Sequence, residues 1–342
     1  MARRDDERGP PVNIPARPPL PVGFALRLAN GRGVSSRARF APEDVFKEPV
    51  GDPRDVVLEI ELPLDVSIIA LHGGVLIFDF SRRADFAGGA VPPHTDYNQL
   101  AWREATDARQ ALVRKRNTYI NAFLPTLYVG GQRLQAGIGP QTSIHLGNYY
   151  SAKLDDGVWS ITGQGAEFAL GLPVEVYLPS DALRLSAETF ASIVASYGED
   201  TFQLMPLLQD WIALYNSQQL SAALVVGWSV SEALIARRWR RYQAEASAAG
   251  GPTKINKDRR KKLNGRDFTA SVMIEALSLA GRLSDVHRET LDRARQARNS
   301  FAHELTPCDP GTAFVAAAAA AALISEDAGC DFRVSSAYTF QT

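Results

Sequence analysis

Apolar residues change their spacing near Pro179, and that change constrains the fold more than any other feature of the chain. Before it, short β-branched runs dominate: Val56-Val-Leu-Glu-Ile-Glu-Leu, Val66-Ser-Ile-Ile-Ala-Leu and Val75-Leu-Ile-Phe-Asp-Phe. Such runs read as strands, and Gly73-Gly74 between the last two supplies the positive φ of a tight hairpin. Tyr149–Leu154 and Val158–Thr162 flank a second turn, Asp155-Asp-Gly. Phe168–Leu170 and Val174–Leu178 read as a third strand pair. One helix interrupts them, over Asn98–Leu124, where Ala105, Ala108, Leu112, Tyr119 and Phe123 recur at helical steps and Pro125 marks the end. Asn121 then serves the C-terminus of that helix.

After Pro179 the helical period takes over. Ser186 is placed to cap a helix carrying Phe190, Ile193, Val194 and Tyr197, with Gly198 past its end. Leu207, Leu208, Trp211, Ile212 and Tyr215 form a second stripe, and Gln219–Tyr242 is apolar on nearly all sides in its first half, as at the centre of a bundle. Phe268–Leu283, Ser284–Ala297 and a short helix over Asn299–Leu305 follow. Asp309-Pro310 then opens an Ala-rich final helix. The expected class is α+β: a Pro/Arg-rich flexible tail (1–22), an α+β domain with a small antiparallel sheet (23–180), and an all-helical domain (181–342).

Composition removes several function classes. The formal net charge is −1, so no surface-wide coat of nucleic acid is expected, although a local basic patch is allowed. Cys308 and Cys330 form no CxxC pair and no Cys/His cluster, so neither a disulfide framework nor a zinc site is expected, and a reducing cytoplasm suits them. His94 and Asp96 lack a third ligand nearby and read as polar loop. His72 reads as a turn residue and His287 as solvent-facing. No metal and no cofactor is expected. P-loop, dinucleotide-binding and serine-hydrolase signatures do not occur. The opening Met1-Ala-Arg-Arg-Asp-Asp-Glu-Arg lacks the apolar core of a signal peptide, and no apolar run reaches the length of a membrane span.

The chemically informative segment is Arg298-Asn299-Ser300-Phe301-Ala302-His303. Asn299 and His303 share a helical face, and Arg298 has the reach to join them. Together they supply a permanent cation with five donors, an amide and an imidazole that titrates near neutrality. That set suits RNA cleavage without a metal: His303 as general base on a ribose 2′-OH, Arg298 as the transition-state cation and Asn299 as a positioning group. DNA lacks the attacking hydroxyl.

An Arg followed by a polar residue, with a His five positions on, near the end of a helical domain, resembles the HEPN family of helical ribonucleases and toxins. The upstream run Ala222–Trp239, with Glu232 among apolar neighbours, is similar to that family's helix carrying an acidic residue. The resemblance covers roughly residues 183–326. It implies an antiparallel helical core, a homodimer with motifs facing across the interface, and endoribonuclease activity in many members. Toxin or defence roles, and an antitoxin or inhibitor partner, go with it. Other members are non-catalytic scaffolds or sensors, and a binding module or ligand sensor is the alternative reading here.

Glu232 is expected to be buried, either orienting Arg298 or paired with Arg237 or Arg238. The stretch from Arg237 to Lys262 carries ten cations, including Arg237, Arg238, Arg241, Arg259, Arg260, Lys261 and Lys262, against Glu245 and Asp258. Its local balance is +8, leaving about −9 on the remainder. These side chains are the candidates for RNA-backbone contacts beside the motif; a solvated loop, or a patch facing an acidic partner, is the plainer alternative.

Overall fold

A computed structural model describes residues 23–27, 31–35, 54–72, 75–86, 100–131, 144, 150–155, 158–162, 176–248, 257–263, 265 and 268–334. The proposed tail 1–22, the two glycine turns, the 168–170 segment, and His94 and Asp96 lie outside these residues. The class is α+β.

Strands β1 (Gly23–Arg27), β3 (Val56–Leu62), β4 (Val66–Leu71), β5 (Val75–Asp79), β6 (Tyr150–Asp155) and β7 (Val158–Thr162) form one antiparallel sheet in the order β3-β4-β5-β1-β6-β7. The interior strand β4 is buried throughout, which explains why it reads as a continuous β-branched run without alternation. Ile68, Ala70, Leu76 and Phe78 face the main core. Ile69, Leu71, Ile77 and Ala152 form a smaller cluster of their own. Two strands were not anticipated, β1 and β2 (Gly31–Ser35). The latter pairs in parallel with β8 (Val176–Pro179), so β8 has a partner from the far N-terminal side of the chain.

Helix α1 spans Leu100–Gly131 and runs through Pro125 instead of ending there. A proline inside a helix costs about 3 kcal/mol. Phe123, Leu124 and Leu127 are buried around it, and burying each such side chain contributes about 1.5–3 kcal/mol, so packing outweighs the lost hydrogen bond. Asn121 does not serve the helix end. Its amide clasps the backbone of Ile144 from both sides, donating to the carbonyl at 2.9 Å and accepting from the N–H at 2.7 Å.

Among the described residues seven α-helices follow: α2 (Ser180–Tyr197), α3 (Thr201–Asn216), α4 (Leu220–Ser247), α5 (Lys257–Leu263), α6 (Ala270–Leu279), α7 (Asp285–Glu304) and α8 (Pro310–Ala328). Ser186 is not a cap, because α2 already starts at Ser180; its buried hydroxyl donates to the Ala182 carbonyl at 2.9 Å. Helix α6 is shorter than expected, since Gly281 at φ 66° turns the chain and the Arg282 N–H closes on the Leu277 carbonyl. The expected break before Asn299 is absent: α7 is one helix, opened by Ser284 and closed by Leu305 in the left-handed conformation.

No gap in packing separates the two halves. Tyr119 and Phe123 of α1 meet Phe78 of the sheet, Phe190 of α2 and Phe202 of α3 at ring separations of 5.5–5.6 Å. The main core runs from Leu58 to Val334. Helices α4 and α8 are long and apolar enough, by length and composition, to cross a membrane, contrary to the reading from apolar runs. Here they pack on each other inside this core. A Cβ placed on Gly227 would lie 3.1 Å from the Ala317 nitrogen and 3.2 Å from the Ala316 Cβ, so this glycine sets their close approach.

Candidate functional site

Side-chain bonds between helices fix which residues share an end of the bundle. Ser221 at the start of α4 accepts from the Cys308 N–H at 3.3 Å, Ser231 donates to Ala316 at 3.0 Å, and Arg238 donates to Leu323 at 3.0 Å. Helices α4 and α8 therefore run parallel. His287 lies 2.9 Å from Glu326, so α7 runs antiparallel to both. Arg298, Asn299 and His303 thus sit at the end where α4 and α8 begin.

Within α7, five residues rotate the chain about 140°, so Arg298 and His303 leave the helix in different directions. Asn299 and His303 differ by only about 40°. In direction Asn299 lies between them, and its Oδ1 accepts from the Arg298 guanidinium at 3.1 Å. Arg298 and Asn299 are half-buried, and His303 is exposed. No described residue bonds either ring nitrogen of His303. Leu291 and Ala294 anchor the same helix in the core, with Phe301 packed against it, so the site stands on a rigid support.

The loop that follows is tied down by contacts the sequence does not announce. Ser221 holds Cys308, and Asp309 caps α8 by accepting from the Thr312 N–H at 3.0 Å and from its hydroxyl. Those two bonds hold the Asp309 carboxyl below its usual range. Burial, helped by the Asp309 carboxylate, pushes the Cys308 thiol up to about 11. Ser221 contributes to the site's support through a long-range pairing with no local sequence signal.

Glu232 is exposed, which removes the burial argument for it. Neither arginine takes it: Arg237 pairs with Asp200, and Arg238 pairs with Glu326 at 2.9 Å and Asp327 at 3.1 Å. Helix α4 is amphipathic at that turn, with Ser231 and Leu234 inward and Glu232 and Ala233 outward.

The basic segment divides. Arg238 is buried among α4 and α8, and Arg237 lies over the Tyr197 ring while donating to the Ser196 carbonyl at 3.1 Å. Both are internal ties and not phosphate contacts. Arg241 is half-exposed, 3.6 Å from Asp327. Lys261, Lys262 and Arg259 are exposed on α5, and the side chain of Arg260 lies outside the described residues. Helix α5 is fastened at the far end of α4, where Trp239 donates to the Leu263 carbonyl at 3.1 Å. Ser221 and Trp239 are about 27 Å apart along the helix at 1.5 Å per residue. Within one chain, the cations are therefore not beside the motif.

His287 is not solvent-facing: it is largely covered, with its Nδ1 2.9 Å from Glu326 Oε1. Among the described residues no cluster of three or more His, Cys, Asp or Glu side chains could hold a metal. No protein-family model, no curated protein and no solved structure matches the chain, so the geometry and chemistry of the site carry the functional argument.

Proposed function

We propose that the chain is a metal-independent endoribonuclease, similar to the HEPN ribonucleases in its motif, acting in the cytoplasm as a homodimer in a toxin or defence role. His303 takes the proton from a ribose 2′-OH. The 2′ oxygen attacks the neighbouring phosphorus, the 5′ oxygen leaves and gains a proton from solvent, and a 2′,3′-cyclic phosphate and a 5′-OH remain. Arg298 neutralises charge on the phosphorane, and Asn299 holds Arg298 in position. The nucleophile belongs to the RNA, so the reaction calls for no metal-bound water.

The supporting observation is the Arg298–Asn299 hydrogen bond on the same helix as an exposed imidazole with no described partner, Asn299 and His303 sharing a face. In a scaffold that used His303 as internal packing, the ring would be sealed within the subunit; its exposure favours the nuclease reading. The test is wild-type protein on mixed RNA with EDTA present, followed by end-group analysis. Cyclic-phosphate ends and a loss of about 10²–10⁴-fold in His303→Ala are expected. No cleavage by the wild type, or equal cleavage by the variant, rules the reading out.

A further inference from the structure

We propose that α5 and the adjoining turns of α4 form a remote docking surface for the RNA phosphate backbone, so that the motif acts on strands long enough to reach it from there. This rests on the nuclease reading above.

Three considerations carry it, the first being exposed cations on a fixed helix. Lys261 and Lys262 on α5 and Arg240 on α4 are exposed, with no carboxylate bonded to them among the described residues, and Arg259 is exposed beside them. The helix that bears the lysines is held in place: Trp239 grips Leu263, and its ring stacks on Phe268 at 5.0 Å and Tyr242 at 5.7 Å. The turn after α5 is closed as well, by the Gly265 N–H on the Lys262 carbonyl and the Phe268 N–H on the Gly265 carbonyl. Cations on a fixed helix lose less freedom on meeting a ligand than cations on a solvated loop.

The second consideration is contrast. The stretch 237–262 carries +8 in sequence while the rest of the chain carries about −9, so a polyanion is drawn more to this stretch than to the rest. Among the described residues of that stretch, Arg237 and Arg238 pair with Asp200, Glu326 and Asp327, Arg241 lies 3.6 Å from Asp327, and Glu245 is taken by Arg282, while Arg240, Lys261 and Lys262 have no carboxylate bonded to them. Asp258 is the acidic group on α5 itself.

The third is distance. A separation of about 27 Å along α4 corresponds to roughly eight nucleotides of stacked strand at about 3.4 Å each. A shorter RNA engages one end only.

Binding is measured by fluorescence anisotropy with the His303→Ala chain, using single-stranded RNAs of about 4 and about 20 nucleotides over a salt series. The long strand is expected to bind with a log K against log salt slope that shrinks by about 1.4 on adding Lys261→Ala and Lys262→Ala, two phosphates at about 0.7 each. In the active chain, kcat/KM is expected to rise as RNA length passes roughly eight nucleotides, and the double variant flattens that rise. An unchanged long-strand slope overturns the proposal. So does an equal loss on the short strand, which would put α5 beside the motif across a dimer interface. Polyglutamate of matched charge binding as tightly as RNA would replace RNA with an acidic protein partner. A chain that binds as expected yet cuts nothing removes the nuclease reading and leaves the docking surface standing.

Discussion

Arg298 and Asn299 hold each other, and that hydrogen bond decides where the cation points. Replacing Asn299 with Ala frees the guanidinium, and losing a bond to a charged group costs about 1.5–3 kcal/mol. On the proposed reaction, kcat is expected to fall about ten- to a hundredfold, with KM little changed, in steady-state cleavage assays. Cys308, five residues past His303, has a thiol pushed up to about 11, so alkylation at neutral pH should be slow and climb about tenfold per pH unit until that value. At the other side of the molecule, hydrogen bonds from Arg83 and then Lys115 hold the Asp85 carboxyl far below its usual range. Its folded value is depressed, so its stabilisation is complete above the unfolded value of about 4 and is lost as pH falls below it. Melting curves of the wild type and Asp85→Asn should differ at neutral pH and converge in acid. The shared face of Asn299 and His303 was readable from four-residue spacing. The exposure of Glu232 was not, because a run of apolar letters hides which side of a helix meets solvent.

Among elements, α4 and α8 show how much rests on one absent side chain. Gly227→Ala gains about 1 kcal/mol of helix propensity but forces a Cβ against Ala317, Ala316 and Trp211, and overpacking of this kind costs about 1–3 kcal/mol. A net loss is expected, seen as a lower denaturant midpoint. Helix existence was legible over most of the second half, since 3.6-residue stripes and the Asp309-Pro310 start are local signals, but α5 was not, because Lys257-Asp-Arg-Arg-Lys-Lys-Leu carries no apolar stripe. Helix ends were less so. Pro125 lies inside α1 because burial on three sides overrides a local breaker, and α7 continues past Ala297 because nothing in Arg298-Asn299-Ser300 interrupts it. Strand β2 escaped notice because its Gly31-Arg-Gly-Val-Ser carries little apolar pattern; its place comes from pairing with β8.

For the molecule as a whole, the change of period at Pro179 marks a change of architecture and not a boundary between two cores. Tyr119 stacks on Phe202 and meets Phe190 edge-on, so residues 180–342 expressed alone would expose both phenylalanines. That fragment is expected to aggregate or to lose its near-ultraviolet dichroism while keeping helix. Arg238 ties α4 to the end of α8, where Asp327 also accepts from the Tyr197 hydroxyl of α2 at 2.7 Å. Arg238→Ala removes the nearer cation from the Asp327 carboxylate, leaving it the Tyr197 hydroxyl and the more distant Arg241, and should cost about 3 kcal/mol in equilibrium unfolding, whereas Lys261→Ala on the surface should cost almost nothing. Sequence alone counted both residues as the same kind of cation; only the partners in space divide them.

The tight seating of Ala316 and Ala317 against Gly227 also sets a clock for the molecule. Backbone groups in that seam reach solvent only when the entire core opens. In heavy water, segments 223–235 and 313–324 should therefore be the last to take up deuterium, at the rate of global unfolding, long after the exposed turns of α5 have equilibrated.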